Sequence, residues 1–406
     1  MGNFKIFDGG ITSPEGFKAS GLNIGLKKNK KDMALIASDV LAKGAGVFTK
    51  NKACAAPVLL CKENIIGSKI QAIIINSNNA NACTGQEGYE DAVAMAEATA
   101  GELNISPKNV LVASTGVIGV PLPMEVILDG IKKAAGNLSY EGGPAAAEAI
   151  LTTDTCVKNI GVSVEIDGKQ VTIGGIAKGS GMIEPDMATM LAFITTDANI
   201  EEGFLQRLLN DTVDKTYNMI TVDGDTSTND MVGVMANGLA KNTVIDEKHP
   251  EAEKFVEAFY YVNEYLAKLI VRDGEGATKF IEIEVINAGS AVDAKKVIKS
   301  ILNSNLVKTA FFGEDANWGR IICSIGYSGA DFNIDEIEVL LGKEGDMIKI
   351  IKDGRGTDFD EQYIERILKE RDLKIIVDLK RGSESAKGWG CDLSYDYVKI
   401  NVSYRS

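Results

Sequence analysis

Few residues in this 406-residue chain could carry chemistry, and one of them sits in an odd place. The stretch GSGMIEPDMATMLAFITTDA, Gly179 to Ala198, runs from glycine-rich residues through Pro185 and Asp186 to the pair Ala188-Thr189. The apolar run that follows, Met190 to Thr195, predicts a buried strand. A loose loop therefore delivers Thr189 to the mouth of a core strand. A β-branched threonine suits that position on packing alone. A threonine hydroxyl is also a nucleophile wherever a neighbouring base can take its proton.

Candidates for that base are scarce. The one histidine, His249, lies in the charged, proline-ended stretch DEKHPE, which predicts an exposed loop. Any Ser-His-Asp or Cys-His mechanism would run through that residue, as would a histidine-ligated zinc site. The six cysteines, Cys54, Cys61, Cys83, Cys156, Cys323 and Cys391, are scattered without a CxxC pair. Their spacing argues against a thiolate metal site and against a disulfide framework. Cys83 and Cys323, set among small and apolar residues, are expected to be buried thiols. What remains for acyl transfer is a nucleophile activated by its own α-amine, as in enzymes with an N-terminal threonine.

Three further stretches carry polar groups at suggestive spacings. GGIAKGSG lacks the GxxxxGK[ST] pattern, and no GxGxxG opens a helix after a strand, so phosphate cradles are not expected. DGDTSTND, Asp223 to Asp230, starts like a calcium loop, but Thr228 stands where that loop needs glycine. A polar turn with local Asx bonding fits better than a weak oxygen-ligated cation. VRDGEGATK places Glu275 between two glycines after a long helical pattern. It reads either as a glycine helix stop or as a carboxylate held where backbone and ligand approach closely.

The elements that must position these groups alternate between strand-like and helical patterns, which defines an α/β or α+β class. Strands are predicted at Gln71–Ser77, Asn109–Gly119 and Phe280–Asn287, and Asp167-Gly168 predicts a hairpin turn. Helices are predicted at Tyr89–Leu103, after Gly142 through Ile150, at Phe204–Tyr217 and at Glu251–Val271. In the last run, YDYVKINVSYRS, Val398, Ile400 and Val402 alternate with Tyr397, Lys399 and Asn401, the pattern of a strand with one polar face.

Composition bounds the function. Apolar residues make up 45% and charged residues 25%, as in an ordinary globular protein. The 43 basic against 57 acidic residues give a net charge of −14, which disfavours nucleic acid and anionic membranes as partners. The cluster Lys27, Lys28, Lys30 and Lys31 is short, runs into Asp32 and reads as a solvated turn. MGNFKIFDGG lacks the apolar stretch of a signal peptide, Ile6 breaks a myristoylation pattern, and a cytoplasmic location is expected.

One set of stretches carries a resemblance: AGVFTKN, NSNNANACTG, ASTGVIG, LTTDT, AKGSGMIEPDMATML, DGDTSTND, DGEGATK, GEDANWGR and the final VKINVSYRS. In this order, and over essentially the whole chain, they resemble the ornithine acetyltransferase family, whose members are also called glutamate N-acetyltransferases and serve the cyclic arginine pathway. The resemblance implies a layered α/β fold like that of N-terminal-nucleophile enzymes. It also implies self-cleavage between Ala188 and Thr189, giving an α chain, 1–188, and a β chain, 189–406. The β chain would complete the catalytic core to about residue 280 and form a C-terminal domain from 281. The fragments would stay associated, as a heterotetramer of two α and two β chains.

The same resemblance implies the chemistry. Thr189 would take acetyl from N-acetylornithine and pass it to glutamate by a ping-pong route, with its freed α-amine as general base. Thr115 and Gly116 would form the oxyanion hole. Thr152, Lys178, Thr189, Glu275, Asn401 and Ser406 would bind substrate; by charge alone, Lys178 suits a carboxylate and Glu275 the ornithine ammonium. No cofactor or metal is implied; acetyl-CoA would enter only as a substrate of bifunctional members. The chain departs from the family pattern at Asn78, Ala316 and Ser406, where glycine, proline and threonine are usual. Asn tolerates a left-handed backbone better than most residues. Two rival readings are a related self-processing aminopeptidase, which a peptide-hydrolysis assay would reveal, and a non-catalytic amino-acid-binding protein, which would form no acetyl-enzyme.

Overall fold

A computed structural model describes residues 3–184 and 190–403. Two sheets organise the chain. The first holds nine strands: β1 (Phe4–Phe7), β2 (Phe17–Leu22), β3 (Met33–Phe48), β4 (Lys69–Asn79), β5 (Val110–Val117), β6 (Lys158–Ile166), β7 (Lys169–Lys178), β8 (Leu191–Thr196) and β10 (Met231–Ala236). Their order is β1-β6-β7-β8-β10-β3-β4-β5, with β2 on β3. The second sheet runs β14-β13-β12-β15-β11-β16-β9, from β9 (Ile220–Thr221), β11 (Phe280–Ala288), β12 (Glu338–Lys343), β13 (Asp346–Lys352), β14 (Arg355–Gly356), β15 (Asp372–Asp378) and β16 (Glu384–Cys391).

Helices α1 (Ala56–Asn64), α2 (Gly85–Leu103), α3 (Met124–Gly136) and α4 (Gly143–Ala149) share a hydrophobic core with β2–β5. Helices α5 (Glu202–Lys215) and α6 (Ala252–Arg272) touch strands of both sheets. They join the second core, which spans β6–β8, β10 and the strands of the second sheet. Helices α7 (Ala291–Leu302), α8 (Asn305–Phe312), α9 (Trp318–Gly326) and α10 (Glu361–Leu368) belong to the second-sheet half, and α11 (Tyr395–Ser403) ends the described chain.

The sequence patterns explain most of these elements. The run IIIN of β4 and the VLVA of β5 are buried on both faces, as parallel neighbours require. Asp167 and Gly168 both adopt positive φ between β6 and β7, the backbone of a type I′ hairpin turn. On α6, Phe255, Phe259, Val262 and Leu266 recur at helical spacing and are all fully buried. Asn78 has φ +88°, so an asparagine here does what the usual glycine would do.

Four expectations are corrected. The C-terminal run is a helix, α11, and not a strand. Its alternating valines gain nothing from strand form, because no sheet edge receives them; Val398 and Val402 remain exposed. Cys83 and Cys323 are exposed, whereas Cys61 and Cys391 are buried, the first against the backbone of Val112 in β5. Lys27 is half-buried and not a freely solvated lysine: its ammonium turns inward onto Ser77 and Leu151. His249 does lie in a loop, yet its imidazole is tucked against Thr243 and Asp167, at the far end of β7 from Lys178.

Candidate active site

The carboxyl ends of β5 and β7 and the entry to β8 converge on one cleft of about 180 Å³. Its walls include Thr115, Gly116, Thr152, Lys178, Met190, Asp223, Glu275, Tyr397 and Asn401, drawn from every part of the chain. Thr115, Gly116, Thr152, Lys178, Glu275 and Asn401 are all sequence candidates, and the fold brings all six together. Ala188, Thr189 and Ser406 lie outside the described residues. Met190 and Leu191 line the cleft, so the described chain resumes at its wall.

Gly116, the next-to-last residue of β5, lies opposite Asn78 of β4 with φ +135°. A Cβ there would stand 2.2 Å from the Asn78 backbone carbon, so only glycine lets the strands approach this closely. Thr115 thereby turns its hydroxyl toward Lys178, 3.4 Å from the Nζ.

Lys178 is buried and donates to the Thr152 hydroxyl at 2.8 Å. Burial lowers the tendency of its ammonium to hold a proton; Asp154, 3.9 Å away, opposes that. Asp154 is itself the hub beneath the floor. It accepts from the backbone of Thr152 (2.9 Å) and Gly179 (2.6 Å) and from the Lys158 ammonium (2.7 Å). Burial alone would raise its carboxyl, but Lys178 and Lys158 outweigh that and hold it below the usual carboxylate range. Lys158 also pairs with Asp273 at 2.6 Å, which joins the floor to the loop carrying Glu275.

Glu275 sits on that loop just after α6, only 8% exposed. Its backbone N–H donates to Ser180 at 2.8 Å, and its carboxylate fills the space beside Gly181, where a Cβ would come within 2.4 Å. Helix α6 ends at Arg272, where the N–H groups of Asp273 and Gly274 donate to the carbonyls of Leu269 and Val271, and Gly276, with positive φ, turns the loop beyond Glu275. That turn aims the carboxylate into the cleft.

Three groups escaped the sequence. Asp223 accepts from the N–H groups of Met182 and Ile183, each at 2.7 Å, and so fixes the segment that leads toward Thr189. Tyr397 donates to the same carboxylate at 3.2 Å, and burial pushes its phenol up. Asn229 donates to the carbonyls of Ala80 and Ser114, tying its turn to β5. The turn DGDTSTND was visible, but nothing local says that its first aspartate grips another loop.

The walls of the cleft thus combine a threonine-glycine strand end, a buried ammonium and a carboxylate, polar groups of both signs suited to a small charged ligand. The ArgJ family model matches residues 18–406, and the chain belongs to that family. The arginine biosynthesis bifunctional protein ArgJ of Caldanaerobacter subterraneus subsp. tengcongensis is 55% identical over 402 residues, 99% of this chain and 100% of that protein. Its counterpart from Thermotoga neapolitana is 53% identical over 97% of this chain and 99% of its own length. Among solved structures, the Bacillus halodurans ArgJ protein is 46% identical, covering 46% of this chain and 98% of that one, with a TM-score of 0.44. The ornithine acetyltransferase of Mycobacterium tuberculosis complexed with ornithine is 38% identical, covering 46% and 100%, with a TM-score of 0.43. The chain is thus an acetyltransferase of arginine biosynthesis. Among its described residues no helix is long and apolar enough to cross a membrane.

Proposed function

We propose that Thr189 is the nucleophile, first on its own backbone and then on substrate. In the precursor its Oγ attacks the Ala188 carbonyl carbon, the peptide C–N bond breaks, and an ester with a free α-amine results. Water opens that ester, releasing the Ala188 carboxylate and the Thr189 hydroxyl. The α-amine, with an ordinary pKa of about 8, then takes the hydroxyl proton as Oγ attacks the acetyl carbonyl of N-acetylornithine. The amine hands its proton to the leaving nitrogen, ornithine departs, and glutamate's amine attacks the acetyl-threonine in the mirror step.

The observation that carries this reading is the placing of Lys178 and Glu275 in one cleft with the strand end Thr115-Gly116. A buried ammonium suits the α-carboxylate common to both substrates, and the carboxylate suits the ornithine ammonium. The Thr115 hydroxyl and Gly116 N–H serve as the oxyanion donors, each contributing about 3 kcal/mol to lowering the barrier. Thr152 orients Lys178 through the 2.8 Å bond between them, Asn401 orients Glu275 by donating its amide to the carboxylate at 2.8 Å, and Ser406 adds a hydroxyl. The bifunctional relatives support acetyl-CoA as a second donor to the same threonine. The α and β chains remain paired through the shared cores, two of each forming the working tetramer in the cytoplasm. The boundary near residue 280 separates the catalytic core from the C-terminal domain.

Denaturing electrophoresis with N-terminal sequencing tests the first step, and mass spectrometry after mixing with N-acetylornithine tests the second. Two fragments, one beginning Thr-Met-Leu-Ala-Phe and gaining one acetyl group, are expected. An intact chain that still transfers acetyl would remove Thr189 from the mechanism.

A further inference from the structure

The lysine-rich segment before β3 looks like solvent-facing sequence, yet it is folded around a buried carboxylate. Asp32, fully buried, accepts from the N–H groups of Ile24 and Lys27, each at 2.7 Å. The Asn23 amide closes the same loop on the carbonyls of Lys27 and Lys30. This framework turns one of the four lysines inward. Lys27 places its Nζ 2.5 Å from the Ser77 hydroxyl, 2.5 Å from the Leu151 carbonyl and 3.2 Å from the Lys31 carbonyl.

Both principal acceptors belong to segments that carry the site. Leu151 immediately precedes Thr152, which receives the Lys178 bond. Ser77 and Asn78 lie opposite Thr115 and Gly116 in the β4–β5 register. The next carbonyl along the loop, Leu26, accepts from the Asn78 amide at 2.6 Å. The loop therefore clamps the backbones on which Thr152 and Gly116 stand. The three acceptors of Lys27 are all neutral, so the charge itself is left unbalanced by its own hydrogen bonds. Burial pushes the ammonium down to about 8, with Asp32 and Asp154 opposing and Lys178 and Lys30 adding to the effect.

Resting on the reading of this cleft as the acetyl-transfer site, we infer that Lys27 is a positioning residue: it fixes Thr152 and the Asn78-Gly116 pair from behind, and its charge reinforces Lys178 in drawing in the substrate α-carboxylate. An ammonium whose hydrogen bonds all go to neutral groups keeps more of its field for a nearby anion than one locked in a salt bridge. In a protein of net charge −14 that local field matters to an anionic substrate. Both substrates carry an α-carboxylate, so both should respond together.

The test compares Lys27→Gln, Lys27→Arg and Lys28→Met in the acetylornithine–glutamate exchange. Lys28 is an exposed neighbour in the same loop and serves as control. Glutamine keeps donors for Leu151 and Ser77 while removing the charge. It is expected to raise KM for both substrates in parallel by about tenfold, with kcat within about threefold. Arginine should restore most of the loss, and Lys28→Met should match the parent. Unchanged KM values in Lys27→Gln overturn the inference, as does a rise confined to one substrate. A Lys27→Gln chain that loses its fold or its two-fragment pattern makes Lys27 a structural residue and overturns it equally. Absence of exchange in the parent protein is a different result, since it strikes the reading of the site itself.

Discussion

The side-chain amide of Asn401 meets the carboxylate of Glu275 at 2.8 Å, joining the last helix to the loop that ends α6. The bond closes one wall of the cleft with residues 126 positions apart. It also leaves the second carboxylate oxygen for a ligand. Glu275→Gln removes the charge and keeps the shape. A hydrogen bond to a charged group contributes about 1.5–3 kcal/mol, so the KM for N-acetylornithine should rise by about tenfold to a hundredfold. The KM for glutamate, which has no side-chain ammonium, should change little. Steady-state kinetics with each substrate varied in turn checks this, and an equal rise for both would refute the pairing.

Gly116 tolerates no side chain. With φ +135° and a Cβ position 2.2 Å from the Asn78 backbone, Gly116→Ala must spread β4 from β5. The proposed oxyanion donors then move. Loss of one such donor costs about a hundredfold to a thousandfold in kcat. The expected variant folds with a lowered Tm, binds substrate and turns over at least a hundredfold more slowly.

Asp154 couples stability to charge. Its folded carboxyl is held below the usual range, so its contribution is fully present above the unfolded carboxylate pKa of about 3.9 and is lost as pH falls through the folded value. Asp154→Asn leaves the buried Lys158 with only Asp273, and breaking such a buried pair costs about 3–5 kcal/mol. Denaturant unfolding should show the deficit at pH 7 and a smaller one below about pH 3.9. Asp154 also favours the charged form of Lys178. The alkaline fall of activity should therefore move to lower pH in the variant.

Maturation should depend on two residues in different ways. Thr189→Ala removes the nucleophile, so a single uncleaved and inactive chain is expected on a denaturing gel. Asp223→Asn weakens the grip on Met182 and Ile183 while the chain keeps its threonine at position 189. Self-cleavage should then proceed to the same products but several-fold more slowly. A time course of fragment appearance after synthesis separates the two, and wild-type timing in Asp223→Asn would free Asp223 of that role.

Local pattern was enough for much of the chain. The Asp167-Gly168 hairpin, the buried strands β4 and β5, and the apolar face of α6 follow from turn chemistry and periodicity. So does the scarcity of bases implied by one histidine. The residues Thr115, Gly116, Thr152, Lys178, Glu275 and Asn401 were found through the ordered short motifs that carry the family resemblance; the structure sets them near strand ends (Thr115, Gly116, Lys178), in loops (Thr152, Glu275) and in the last helix (Asn401).

Contacts between distant segments decided the rest. Periodicity assigned the last run to a strand, because alternation is a local property; whether a sheet edge exists to receive it is not. As a helix, the tail instead presents Tyr397 and Asn401 one turn apart to Asp223 and Glu275. Composition made Lys27 a surface lysine, because a charged cluster usually stays in water. Only the fold supplied Asp32 to turn the loop and the Ser77 and Leu151 oxygens to receive the amine. The sequence by itself determined which chemical groups were available and the elements that carry them. Tertiary structure decided which of those groups lose water and acquire partners, since desolvation and hydrogen bonding depend on neighbours far away along the chain.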